Sequence, residues 1–528
     1  MKVFRSLQFL AVLFVVLAAS LTFIGISSVE ASTCEPNTYY VDATNGLDTN
    51  DGTCSDKAWK TIAKVNSSSF SPGNTIKFKK GETWKERLTV PSSGTSGAPI
   101  TFTSYGEGEK PIIDGDNTAT YGIYSNDKSY VTIDGFIIKK LGKTLDATYA
   151  VYIIRGTDNI VENCDISEVY YATNPMLGGS ATAWEGQRGY GIGVYNSSNV
   201  KILNNTVRDI GATAIHLSAG SGVQVIGGEI YNNEITNFNV GIRIALSNGT
   251  AGTGYKDVKI HGNYIHDFGN YYYCTNWHRD GIHIFARPDA MVLIENVEIY
   301  NNYFTDNAPS PSGGTAWIYI EYGCVNFNIH HNVMQSAPGY HSIRILGKLA
   351  DFPIFPRNHI IAHNTMYCHP NSPMYGVGVD ISRSPGIKMY NNIIDSDKNI
   401  YSIDGDSLSG FESNNNLVYD VSGGDSFVVN SVWYTFAELQ ALGYDTASIY
   451  GQATFEGSPA ADAHDPMVFK LKNTSLGINT GKISGFGSDK DGVSIPQGIA
   501  PDIGAYEYVG AFVSDTTPPS APANLVIQ

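Results

Sequence analysis

Long helical patterns are scarce in this chain of 528 residues, and beyond its first twenty or so residues no segment is apolar enough to span a bilayer. A basic surplus is missing too. Lysine and arginine number 34 against 50 aspartates and glutamates, a formal charge of −16, which argues against nucleic acid, whose phosphates need a basic face. Six cysteines are few for such a length, and none has the spacing of a metal knuckle. There is no HExxH helix, no Walker loop and no G-x-S-x-G elbow. His278-Arg279-Asp280 has the letters of a protein-kinase catalytic loop, but Phe285 stands where that loop needs its metal-holding asparagine. These gaps set aside the commonest metallopeptidase, nucleotide and nucleophilic-serine chemistries.

What is present begins with two positive charges and a long apolar run ending near Val29-Glu30-Ala31. Residues 1–31 read as a secretory leader with a small-x-small cleavage site; uncleaved, the same run would anchor the chain. The expected location is extracellular, with no membrane partner after cleavage. Six cysteines suit an oxidising compartment. Cys34 and Cys54 flank one short segment and are the expected disulfide, whereas Cys164, Cys274, Cys324 and Cys368 read as buried thiols.

From about residue 121 to 405 one pattern recurs: YGIYS, YAVYI, YGIGV, TAIHL, VGIRI, DGIHI, AWIYI, HSIRI, VGVDI and YSIDG. Some 20 to 30 residues after each come asparagines: Asn205, Asn233, Asn263, Asn302, Asn332, Asn364, Asn392 and Asn416. Strand-period alternation around a turn residue that tolerates left-handed backbone describes one β-turn-β rung. Stacked asparagine amides can bond from rung to rung. The expected fold is all-β: a right-handed, single-stranded parallel β-helix of about ten or more rungs with capped ends, burying its interior by stacking.

The chain resembles secreted parallel β-helix proteins of the pectate-lyase-like superfamily. The resemblance rests on the rungs, on YYVDATNGLDTNDGT, AWKTIAKVN and PGNTIKFKKGETWKERLTV near the start, and on Asp502-Ile503-Gly504-Ala505-Tyr506-Glu507 near the end. It implies an N-terminal cap with the first coils over 32–120, a central helix with a substrate groove over 121–425, and C-terminal coils with a cap over 426–508. DTTPPSAPANLVIQ, within 509–528, resembles a linker entering a fibronectin type III module. The superfamily hosts lyases, hydrolases, epimerases, esterases and adhesins, so chemistry must come from the residues.

The fourth residue of each pattern, the middle of its I-x-I core, points outward while its neighbours point in. In rung order these are Tyr124, Tyr152, Gly193, His216, Arg243, His283, Tyr319, Arg344, Asp380 and Asp404. His278, Arg279 and Asp280 are expected to end the loop before the His283 strand and to wall a groove floored by this column. Trp184, Arg188 and Trp277 join that wall, where rings suit sugar faces. Cations crowded into an acidic chain suggest an anionic polysaccharide as partner, acted on by a monomer. For β-elimination at a uronate, Arg243 and Arg344 would clamp the carboxylate. His283 would be the base, Tyr319 the acid, His216 a support, and Asp280 would orient a histidine. Some superfamily lyases use Ca²⁺; Asp380, Asp404 and Asp406 are the candidate oxygen ligands, and the residues leave calcium open. The rival reading is a glycoside hydrolase using Asp380 and Asp404, with Glu321 near the substrate. A third is a carbohydrate-binding or adhesive helix without chemistry.

Overall fold

The computed structural model describes residues 32–142, 147–169, 189–246, 250–268, 279–286, 291–305, 314–335, 341–347, 356–367, 377–396, 399–420, 423–459 and 464–510. Among the described residues, three sheets of thirteen strands extend from Thr38 to Tyr450. From Thr75 to Val429 every rung contributes one strand to each sheet in the same order, and all pairings but the last of the first sheet are parallel. The I-x-I strands, such as Val240–Leu246 and Arg279–Ala286, form the first sheet. Strands such as Lys259–His261 form the second, the asparagine turn follows, and Tyr264–His266 belongs to the third. Four central rungs insert a further short strand between the first and second sheets: Gln224–Ile226, Gly254–Lys256, Leu293–Glu295 and Cys324–Val325. Among the described residues no helix is long and apolar enough to cross a membrane.

The alternation explains the stack. Ile215, Ile242, Ile282, Ile318 and Ile343 register one above another and are fully buried. Each such side chain withdrawn from water contributes roughly 1.5–3 kcal/mol. At the second turn, Asn205 donates through Nδ2 to Asn233 Oδ1, and the step repeats through Asn263, Asn302, Asn332, Asn364, Asn392 and Asn416, each at 3.0 Å. The left-handed turn position is the residue just before the ladder: Asn301 at φ 57°, His331 at 54°, His363 at 53°. Asparagine tolerates that region, so the paired Asn-Asn signature divides into one backbone role and one hydrogen-bonding role.

Cys34 and Cys54 are bridged near the N-terminus, and Cys164 and Cys324 are buried thiols; Cys274 and Cys368 lie outside the described residues. At the other end a cap of turns packs on the third sheet through Phe455, Phe469, Ile503 and Tyr506. It also covers three histidines. His331 and His363 stack at 4.7 Å, His330 and His331 share a 2.8 Å Nδ1–Nδ1 hydrogen bond, and Phe486 lies 4.2 Å from His330. Burial lowers His330 to about 3 and His363 to about 4, and holds His331 well below its usual value. In the unfolded chain these rings take protons near pH 6.5. Below that pH the unfolded state binds more protons, so their contribution is complete above about 6.5 and is lost as pH falls toward 4 and 3. Scanning calorimetry should therefore show a melting temperature that drops across pH 6.5 to 4, more steeply than in a His363→Gln variant.

Candidate functional site

Because the flanking isoleucines must enter the core, the residue between them is forced out of the first sheet. Register runs Tyr124, Tyr152, Gly193, His216, Arg243, His283, Tyr319, Arg344, Asp380 without a break. The next partner is Ser402, not Asp404. The pair that enters the core at that rung is Tyr401 and Ile403, so reading Ile403 and Gly405 as the pair slips the register by two. Asp404 instead caps the turn Gly405–Ser407 and accepts from the backbone N–H of Arg383 and Ser407. Asp406 is exposed beside Arg383 at 3.9 Å. Asp380, Asp404 and Asp406 thus do not converge into a calcium ligand set, and the Asp380–Asp404 carboxylate pair of the hydrolase reading does not stand on adjacent column positions.

The centre of the column is a hydrogen-bonded cluster. Glu321, two residues past Tyr319 on the same strand, accepts from the Tyr319 hydroxyl at 2.7 Å through Oε1. Its Oε2 meets His283 Nε2 at 2.9 Å. The His283 and Tyr319 rings stack at 5.1 Å and 11°. Asp280 Oδ2 lies 3.7 Å from His283 Nδ1, and its other oxygen accepts from Ala316 N–H at 3.3 Å. Asp280 and Arg279 therefore do not end a loop: they open the strand Arg279–Ala286 across a register shift, and both are buried. Asp280 is fully buried beside His283 and backs the histidine, so it is not an exposed wall of a groove. Burial and the Glu321 carboxylate push the Tyr319 hydroxyl far above the usual phenol range, so it is a firmly held proton.

Arg344 lies over the Tyr319 ring at 5.5 Å and pairs with Asp380 at 3.3 Å. Burial raises Asp380 despite the pull of that guanidinium. His341 approaches the same carboxylate at 3.9 Å, and burial lowers this ring to about 3. Arg243 is largely enclosed, with its guanidinium 5.7 Å from the Phe285 ring. His216 stacks on Tyr190 at 5.1 Å and is lowered to about 3 by burial and Arg243, which keeps it neutral. Arg344 is paired with Asp380, and the charges of Asp280 and Glu321 act on Arg243, so positive charge alone does not select an anionic ligand. Trp184, Arg188, Trp277 and His278 lie outside the described residues.

Toward the N-terminus the face becomes tyrosine. Tyr149 stacks on Tyr152 at 4.0 Å and on Tyr190 at 4.7 Å, while Tyr121 stacks on Tyr124 at 5.1 Å. Two columns carry these rings, because the residue three before the outward one also faces out: Tyr121, Tyr149, Tyr190 and, farther on, Asp280 and His341. Sequence reading misses His341 and the central place of Glu321. The three-residue offset seen in Asp280/His283 and His341/Arg344 is the signal that could have found the second column.

Two family models match the chain: a Pel9A-like right-handed β-helix region over residues 39–174 and a right-handed β-helix region over 112–348. An uncharacterised protein of Bacillus subtilis, YwoF, is 30% identical over 225 residues, 40% of this chain and 45% of its own. A lacto-N-biosidase of Bifidobacterium longum is 33% identical over 88 residues, 16% of this chain and 6% of its own. The matches thus span less than half of either curated relative. Among solved structures, XylC in complex with xylose has a TM-score of 0.50 at 13% identity, over 89% of this chain and 98% of its own.

Proposed function

From a chain that is a right-handed parallel β-helix of the pectate-lyase-like type, we propose an exported, monomeric enzyme that cleaves an anionic polysaccharide by β-elimination at a uronate unit. The observation that carries this reading is the single Glu321 carboxylate bridging Tyr319 and His283. Elimination needs a base for the C5 proton and an acid for the leaving oxygen. His283 takes the C5 proton, and Glu321 and Asp280 stabilise the imidazolium that results. The C4–O bond breaks as the C4–C5 double bond forms, and Tyr319 gives its phenolic proton to the departing oxygen. Glu321 touches both groups, so it can then return the proton from His283 to Tyr319. No external proton is consumed, and the pair is reset for the next turnover. Arg344, whose side chain is 30% exposed, supplies charge to the uronate carboxylate. The stacked tyrosines extend the bound chain toward the N-terminal rungs.

Glycoside hydrolysis is the second reading. It draws on Asp380, a carboxyl raised by burial as a general acid must be, with Glu321 as its partner, and on the short match to a lacto-N-biosidase.

The test is the purified chain on alginate, pectate, chondroitin, hyaluronan and neutral polymers, with and without Ca²⁺, following ultraviolet absorbance and reducing ends together. Elimination predicts that both rise on one anionic polymer, and that His283→Ala and Tyr319→Phe sharply slow the rise while binding persists. Reducing ends without absorbance would sink elimination and shift the reaction to Asp380 and Glu321.

A further inference from the structure

Apart from the tyrosine and histidine column of the first sheet, the third sheet meets the cap at a second polar cluster. His266 ends the strand Tyr264–His266, Asp267 follows it, and His464 arrives from the start of the cap. One ligand atom from each lies within 4.8 Å of the others. His266 is 8% exposed. Its Nδ1 hydrogen-bonds Asp267 Oδ2 at 2.9 Å. Its Nε2 is buried without a hydrogen bond and stands 3.4 Å from Glu234 Oε1, a residue of the preceding rung. The Tyr264 hydroxyl bonds His464 Nδ1, and the Tyr264 ring stacks on His266 at 4.0 Å. The His266 and His464 rings meet edge to face at 5.4 Å.

We propose that His266, Asp267 and His464 bind one divalent transition metal of the Zn²⁺ class, His266 through the Nδ1 that faces Asp267. Two imidazoles and carboxylate oxygens suit a borderline cation and are poor ligands for calcium, which takes six to eight oxygens. Small side-chain shifts bring such a set onto one ion, since ligands about 2.0–2.2 Å from zinc stand little more than 3 Å apart. Glu234 then holds the His266 ring from Nε2, and Tyr264 fixes the His464 ring from Nδ1, as outer partners of metal-bound imidazoles do. The ion joins a rung strand to a cap segment about 200 residues later, so it fastens the cap to the solenoid. This does not depend on the proposed cleavage reaction.

The experiment uses the whole chain, with any histidine tag removed and metal stripped by EDTA, titrated with ZnCl₂ and with CaCl₂ by calorimetry and followed by thermal melting. The expected result is one zinc per chain at micromolar affinity, no comparable calcium binding, and a melting temperature that rises as the site saturates. His464→Ala sits on an exposed ring and should keep the fold, as checked by circular dichroism, while lowering zinc affinity at least tenfold and cancelling the thermal rise. Asp267→Asn should lower affinity as well. Zinc binding of unchanged affinity and stoichiometry in both variants, or no saturable binding by the intact chain, would overturn the assignment.

Discussion

Glu321→Gln is expected to lower turnover by roughly 10²–10⁴-fold, the range associated with a positioned acid or base, while leaving the circular dichroism and the melting curve nearly unchanged. The amide keeps the size of the side chain and one of its acceptor sites. It cannot accept from the Tyr319 hydroxyl and His283 Nε2 together, as the carboxylate does at 2.7 and 2.9 Å. Nor can it carry a proton between them. The loss should therefore fall on kcat, with KM moved little, because no substrate contact need be removed. Tyr319→Phe deletes the acid and leaves His283 oriented, so its residual rate should respond to added small acids in a way that the Glu321→Gln enzyme does not. Rates from ultraviolet absorbance, taken against pH, check both. A Glu321→Gln enzyme within tenfold of the parent would remove Glu321 from the reaction and leave it a structural carboxylate.

Much of this site is legible in the sequence, and the reason is geometric. A strand buried on one side has a period of two, so Ile282 and Ile284 dictate where His283 goes. In a parallel stack with one strand per rung, sequence order then equals spatial order, and His216 through Asp380 follow as neighbours. The reading fails where that logic ends. At Asp404 the alternation misleads, because Tyr401, a large ring, is the residue that fills the core. At Arg279 and Asp280 polarity suggests a loop, yet the strand extends through both and buries them. Glu321 is expected near substrate but proves to be the hub. Its link to His283 crosses strands diagonally and depends on side-chain direction, which no one-dimensional pattern encodes. The zinc-class cluster joins segments about 200 residues apart, beyond any local period.

The asparagine ladder supplies the second large expected effect. Asn302 is fully buried. Its Oδ1 accepts from Asn263 through both the backbone N–H at 3.1 Å and Nδ2 at 3.0 Å. Its own Nδ2 donates to Ile260 O and to Asn332 Oδ1, each at 3.0 Å. Asn302→Ala leaves the Asn263 backbone N–H without its acceptor and Ile260 O without its amide donor, while Asn263 Nδ2 keeps Ile230 O and Asn332 Oδ1 keeps the backbone N–H of residue 302; each buried orphan costs about 1–3 kcal/mol. Partial relaxation of the turn leaves a net loss of about 3–5 kcal/mol. Asn301→Gly, one residue earlier at φ 57°, changes a backbone position that glycine adopts freely, and should alter stability by less than about 1 kcal/mol. Position in the stack matters as well. Asn416 closes the ladder with Ser413 Oγ and Asp445 Oδ1 also in reach, so Asn416→Ala should be milder than the central change. A solenoid's rungs contact only their neighbours, so a break at Asn302 weakens the coupling between the two halves. Thermal melting with limited proteolysis checks this: the central variant should melt in two stages and be cut first near the gap. A single transition at the parent's temperature would show that stacked isoleucines, not asparagines, hold the rungs in register.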